Sequence, residues 1–160
     1  VRRNTITMIH DLFSELEYEE IPAKIYDMVA ISKAAIDVIE KEKENKITIH
    51  ISEGRKTMSM ALLIEAYVKR KLVQDAYYIA EETNTPIKLP LVELKLSKQK
   101  TNILEKIKQG QGDVAKMEAE LRIKASTLYV HFKELRDEGF LNQDNKITEM
   151  GKIVLLNNGD

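Results

Sequence analysis

An α/β domain with a mostly parallel sheet, followed by a winged helix-turn-helix, is the fold this sequence predicts, and three observations carry the prediction. Over residues 1–95 the apolar positions alternate between a spacing of two and one of three to four, so strand-like and helix-like stretches take turns. From Ser97 the chain reads as three short amphipathic helices in succession, SKQKTNILEKIKQG, GDVAKMEAELRI and KASTLYVHFKELRDEGFLN. The stretch QDNKITEMGKIVLL completes that pattern. The expected division is therefore residues 1–95 and residues 96–160.

Each element of the first unit rests on its own spacing. Residues 4–16 place Ile6, Ile9, Phe13 and Leu16 on one helical face. Residues 18–26 read as a strand, with Pro22 marking it as an edge or irregular one. Helical periodicity returns over 28–43 through Val29, Ile31, Ala35, Ile36 and Ile39, and ends in the charged run 40–45. Residues 46–52 alternate Ile47, Ile49 and Ile51 with polar neighbours, a strand pattern. A helix follows over 57–71, in which Met58, Met60, Leu62 and Leu63 read as core. Further strands are expected over 75–81 and 87–94. Strand and helix alternating in this order imply a parallel sheet with crossover helices.

In the second unit, Ile103, Leu104 and Ile107 mark one face of a first helix. Val114, Met117 and Leu121 mark a second, of about three turns. A short turn over 122–125 leads into a third helix on which Leu128, Phe132 and Leu135 recur, with Ser126 and Thr127 as N-caps. This order lets the third helix protrude so that its N-terminal residues can meet base edges in a major groove. Its outward face carries Lys124, Ser126, Thr127, Tyr129, Lys133 and Arg136, hydrogen-bonding and cationic types suited to bases and phosphates. Val130 stands where a polar group would be expected of a base-reading helix, and His131 reads as a packing residue. Double-stranded DNA is the first partner to consider. Small modules of this shape also dock proteins, and fold alone does not decide between the two.

Composition bounds the alternatives. The chain has 160 residues, 43% of them apolar, enough for a packed core. It has no cysteine, which excludes disulfides and thiolate metal sites and fits a cytoplasmic setting. Histidines at 10, 50 and 131 do not have zinc-ligand spacing. No apolar run approaches the roughly 18 residues of a membrane span, and no signal peptide is visible, so no membrane partner is expected. Lys and Arg number 25 against 26 Asp and Glu, a formal net charge of -1. From Leu96 onward there are 11 basic and 10 acidic residues, a balance of +1. A domain so near neutrality implies moderate, salt-dependent DNA affinity that relies on a dimer to double the phosphate contacts. The chain opens at Val1 inside a helical pattern, and residues upstream of it are expected.

A second candidate site is the segment SEGRKTM, residues 52–58, where a strand gives way to a helix. Ligands of open α/β sheets bind at such strand ends. Gly54 permits close backbone approach, and the helix N-terminus presents free N–H groups. Arg55 and Lys56 add charge, and Ser52, Thr57 and Ser59 add hydroxyls. The set suits a phosphate or phosphodiester. The long Gly-rich stretch of a Walker A loop is absent, which argues against NTP hydrolysis. The plain alternative is a tight turn with solvated charges. Glu53 sits awkwardly for an anion, and could face away or meet a ribose hydroxyl.

The strand ending in SEGRKTMSMALL, the later DAYYIAEE and the IKLPLVELKLS that leads into the helical unit together resemble the CARF–winged-helix transcriptional regulators of archaeal CRISPR–Cas loci. Gly54, Arg55, Lys56 and Met58 match that family's Gly-Gly-Thr/Arg-Lys/Arg-x-Met loop, and Glu53 replaces its first glycine. The resemblance implies a Rossmann-like CARF domain that dimerises and binds a cyclic oligoadenylate, typically the tetra-adenylate, across the two-fold axis. It also implies a role in antiviral defence, with the winged helices on promoter DNA. The family's first strand, first helix and second strand have no counterpart before Val1. Carried over, Ser52, Glu53, Gly54, Arg55, Lys56 and Met58 are the ligand-binding positions, and Lys124, Ser126, Thr127, Tyr129, Lys133 and Arg136 the DNA-binding ones. No metal, cofactor or catalytic residue is implied for a regulator. Residues 93–100, which contain no Gly or Pro, would couple the two units stiffly. Two other readings stay open: a ring nuclease that cleaves the cyclic ligand, with Arg55 or Lys56 stabilising charge, and a regulator that senses another small anion.

Overall fold

A computed structural model of the chain describes residues 15, 17–52 and 54–157. The helix expected over 4–16, apart from residue 15, and the residue Glu53 lie outside the described residues. Within them are six helices and a three-stranded mixed sheet.

Helix α1 spans Met28–Lys41 and begins where the sequence places its first apolar residues. Asp27 caps it, its carboxylate accepting from the Ala30 N–H at 3.0 Å. Ile31, Ala35, Ile36 and Ile39 are buried on its inner face. The strand expected over 18–26 does not form: the chain there is irregular and ends in a turn closed by the Asp27 N–H to the Lys24 carbonyl, 2.9 Å. Pro22 supplies no donor, and no strand among the described residues lies alongside to pair with it.

Strand β1, Ile47–His50, pairs in parallel with β2, Val73–Ala80, and helix α2, Lys56–Val68, makes the crossover between them. Strand β3, Thr85–Lys88, pairs antiparallel with β2. The sheet order is β1-β2-β3 with one parallel and one antiparallel pair, so the expectation of a mostly parallel sheet is corrected. Chain length explains it. A parallel return needs a crossover of roughly a dozen residues, whereas only a short turn carrying Asn84 at φ 50° separates β2 from β3. The strand expected over 87–94 starts earlier and stops at Lys88, with Pro90 just beyond. Ile39, Ile49, Ala66, Val73 and Ala76 form the core of this unit. Met60, expected in it, is 56% exposed.

Three helices follow: α3, Lys98–Lys108, α4, Val114–Leu121, and α5, Ala125–Asp137. Ser97 caps α3 by accepting from the Lys100 N–H at 3.3 Å, and Asp113 caps α4 by accepting from the Lys116 N–H at 2.9 Å. Helix α4 has 8 residues, shorter than the expected three turns, because Arg122 leaves the helix in a left-handed conformation, φ 55°. The N-cap of α5 is Lys124, which makes no side-chain cap bond. Ser126 and Thr127, expected as caps, lie inside the first turn instead. The Ala125 N–H, one of the donors left open at the helix start, is met from outside the helix by Glu118 Oε1 at 3.2 Å.

Beyond α5 the chain turns back through an antiparallel bridge between Leu141 and Ile147 and enters α6, Glu149–Leu156, capped by Thr148 through the Gly151 N–H at 3.1 Å. Ile103, Leu104, Met117, Leu128, Phe132, Leu135, Leu141 and Val154 make the second core. Val68 and Leu94 from the α/β unit pack against that core, and α6 packs against α1.

Candidate functional site

The outward face of α5 is built by what lies beneath it. Leu128, Phe132 and Leu135 are buried on one side. The left-handed Arg122 and the buried Ile123 set the angle at which the helix leaves α4. On the opposite side Ser126, Thr127, Tyr129, Val130 and Lys133 face solvent together, Tyr129 at 62% and Val130 at 53% exposure. Lys124 joins them at the helix start. Arg136 stands apart: its guanidinium donates to Asn145 Oδ1 and so holds the turn between Leu141 and Ile147. His131 is a packing residue, as the spacing suggests. Its Nδ1 lies 3.2 Å from Glu134 Oε2 and its Nε2 lies 3.2 Å from Gln99 Oε1, tying α5 to α3.

Ion pairing sorts the cations of this unit. Lys100 reaches Glu134 at 3.2 Å and Glu138 at 2.6 Å, and Lys106 pairs with Glu120. Burial of Lys100 opposes its charge, but the bonds to Glu138 and Glu134 outweigh that and raise its pKa. Glu134 is held below its ordinary value by His131 and Lys100. These charges are neutralised within the fold. Lys98, Lys108, Lys116, Lys124 and Lys133 form no ion pair among the described residues, which leaves their charge for a partner.

The loop between β1 and α2 divides its residues differently. Gly54 has φ 92°, a conformation that favours glycine. Arg55 is the N-cap of α2 and offers its first turn no side-chain acceptor, and both Arg55 and Lys56 are exposed. The three hydroxyls are engaged internally. Ser52 Oγ accepts from the Ile79 N–H and lies 2.8 Å from His50 Nε2, which fastens the end of β1 to β2. Thr57 donates to the Ile25 carbonyl at 2.5 Å, and Ser59 donates to the Ile51 carbonyl at 3.0 Å. Met58 turns away from Arg55 and Lys56 into an apolar cavity of about 200 Å³ that Ile31, Ile39, Ile49 and Leu62 also line. The structure thus brings together Gly54, Arg55 and Lys56 as an exposed cationic turn, with Ser52 and Met58 beneath it.

One feature went unread in the sequence. Glu65 of α2 is buried, and its carboxylate accepts from Asn157 Nδ2 at the end of α6, 3.2 Å away. Ser32 Oγ of α1, Glu65 Oε1 and Asn157 Oδ1 are buried and meet no hydrogen-bond partner among the described residues. Burial pushes Glu65 up to about 7, against the opposing pull of the Asn157 hydrogen bond and the Lys69 charge. The signal available was the stripe Ala61, Leu62, Glu65 and Ala66, which puts a carboxylate among small and apolar residues on one helical face. No helix among the described residues is long and apolar enough to cross a membrane. Comparison of the sequence with protein-family models and with curated proteins finds no match to either.

Proposed function

We propose that this chain is a DNA-binding transcriptional regulator in which α3, α4, α5 and the Leu141–Ile147 turn act as a winged helix-turn-helix, with α5 in the major groove. The observation that carries the reading is the outward face of α5. Ser126, Thr127 and Tyr129 are exposed there beside Lys124 and Lys133, whose charges no carboxylate among the described residues neutralises. Hydroxyls that can meet base edges and cations that can meet phosphates are what a major-groove helix presents. The near-neutral balance of the unit makes a homodimer on two half-sites the expected binding form.

The turn at Gly54, Arg55 and Lys56 is the proposed effector site. An uncapped helix start and two exposed cations suit a phosphodiester. The resemblance to CARF regulators of CRISPR–Cas loci makes a cyclic oligoadenylate the candidate. Its binding across a dimer would alter the separation of the two α5 helices, and effector and DNA affinities would then change each other by the same factor. The strand-to-helix segment before α3 and the packing of α6 on α1 are the routes by which one unit touches the other.

Two measurements test the two halves. In anisotropy titrations with duplex DNA over a range of salt, Lys133→Ala should weaken binding and reduce the slope of log affinity against log salt by about 1. An unchanged slope removes Lys133 from the interface. In calorimetry with cyclic tetra-adenylate, the chain should bind about one ligand per dimer and Arg55→Ala should lose most of that affinity. Equal affinity in the variant sinks the loop assignment, and a linear product after long incubation would make the protein a ring nuclease.

A further inference from the structure

Val130 is the residue on α5 that the proposed function leaves without a task. Successive helical residues turn by about 100°, so with Leu128, Phe132 and Leu135 buried, the opposite crown of α5 consists of Ser126, Val130, Lys133 and Asp137. Val130 stands at the middle of that crown and is 53% exposed. A β-branched residue is a modest helix former, and at this position Val130 is not one of the buried core residues. Its neighbours one turn either way are Ser126 and Thr127 on one side and Lys133 and Glu134 on the other, so the apolar surface is a small island in a polar face. Such an island is too small to bury the area that a stable protein interface needs.

Resting on the DNA-binding reading above, we infer that Val130 is a specificity-determining residue that selects thymine in each half-site through contact with its C5-methyl group. The thymine methyl is the one apolar feature that a base pair displays in the major groove. An isopropyl group has no donor or acceptor with which to satisfy guanine or the cytosine amine, so a G·C pair beneath it leaves polar edges unmatched. Ser126 and Lys133 flank the contact from the adjacent turns and hold the helix over it.

The test uses duplexes recovered by selection from a random pool, in which each thymine is then replaced in turn by uracil, a change that removes only the methyl. For the wild-type chain, one thymine per half-site should show about fourfold weaker binding as uracil, the effect of one methyl-sized apolar burial. Val130→Ala should bind the two duplexes equally, and Val130→Thr, which keeps one methyl, should retain part of the difference. The residue is exposed, so neither variant threatens folding. Uracil tolerated at every position, or discrimination that persists in Val130→Ala, overturns the inference while leaving DNA binding intact. Absence of any salt-dependent binding to duplex DNA overturns the DNA reading itself and this inference with it. In that case a change of oligomeric state in Val130→Ala by light scattering would assign the face to a protein contact.

Discussion

Gly151 shows how much a single missing side chain can hold in place. A Cβ built there would lie 2.5 Å from the Phe140 carbonyl oxygen and 2.7 Å from Ile147 Cγ1. The first of these is backbone that is already anchored, since the Thr148 N–H donates to the same carbonyl at 3.1 Å. Glycine therefore lets α6 settle directly onto the turn that follows α5. Gly151→Ala should cost about 1–3 kcal/mol by overpacking, read as a lower urea midpoint with unchanged m. An unshifted midpoint would mean that the turn yields without loss. Other single residues explain where sequence reasoning succeeded or failed. The i, i+3, i+4 pattern of Leu128, Phe132 and Leu135 identified the buried stripe of α5 and so, by elimination, its outward face. The same reasoning miscast Met60, because helix periodicity locates a stripe but not its width, and α2 buries the small residues Ala61 and Ala66 instead.

At the scale of elements, the turn between α4 and α5 decides the angle of the proposed reading helix. Arg122 adopts φ 55°, ψ 38° at the end of α4, where glycine is the usual occupant. The left-handed conformation costs an L-residue roughly 1–2 kcal/mol, partly offset on replacement by the greater freedom of glycine in the unfolded chain. Arg122→Gly should accordingly stabilise the protein by up to about 1 kcal/mol, seen as a higher melting temperature. A fall would mean that the Arg122 side chain contributes more than its backbone strain costs. Most elements were legible because their signals are local. The caps were not: Asp27, Ser97, Asp113 and Thr148 cap the helices that follow them, whereas Ser126 and Thr127, the caps expected from the sequence, do not. The strand expected over 18–26 failed because a strand is only stable when paired, and pairing is not a local property. The antiparallel return of β3 was missed because the spacing of apolar residues is silent about direction.

At the scale of the whole molecule, the junction between the two cores holds the buried Glu65. The groups that face it are Ser32 of α1, Asn157 at the end of α6 and Lys69, which is itself paired with Glu40. Its pKa, about 7, lies above the ordinary 4.5, so the folded protein holds this proton more tightly than the unfolded chain does. The stability it contributes is therefore present in full below about pH 4.5 and is lost as the pH rises through about 7. The difference is on the order of 3 kcal/mol. Glu65→Gln should remove that dependence, leaving stability near pH 5 little changed and raising it at pH 8, as measured by denaturant unfolding at the two values. If Glu65→Gln is the less stable form at pH 8, the carboxylate is satisfied where it lies.

What the sequence by itself determined is the order and type of most elements, the face that α5 turns outward, and the chemistry of the turn at Gly54, Arg55 and Lys56. Those depend on periodicity and residue type, which act over a few positions. What only the tertiary structure decided is which of those groups remain available. Lys100, Lys106 and Arg136 are engaged within the fold while Lys124 and Lys133 pair with no carboxylate among the described residues, and the hydroxyls of Ser52, Thr57 and Ser59 fasten backbone instead of facing outward. The buried meeting of Ser32, Glu65 and Asn157 is likewise invisible in the sequence, because a contact between residues 92 positions apart is set by packing and not by any local pattern.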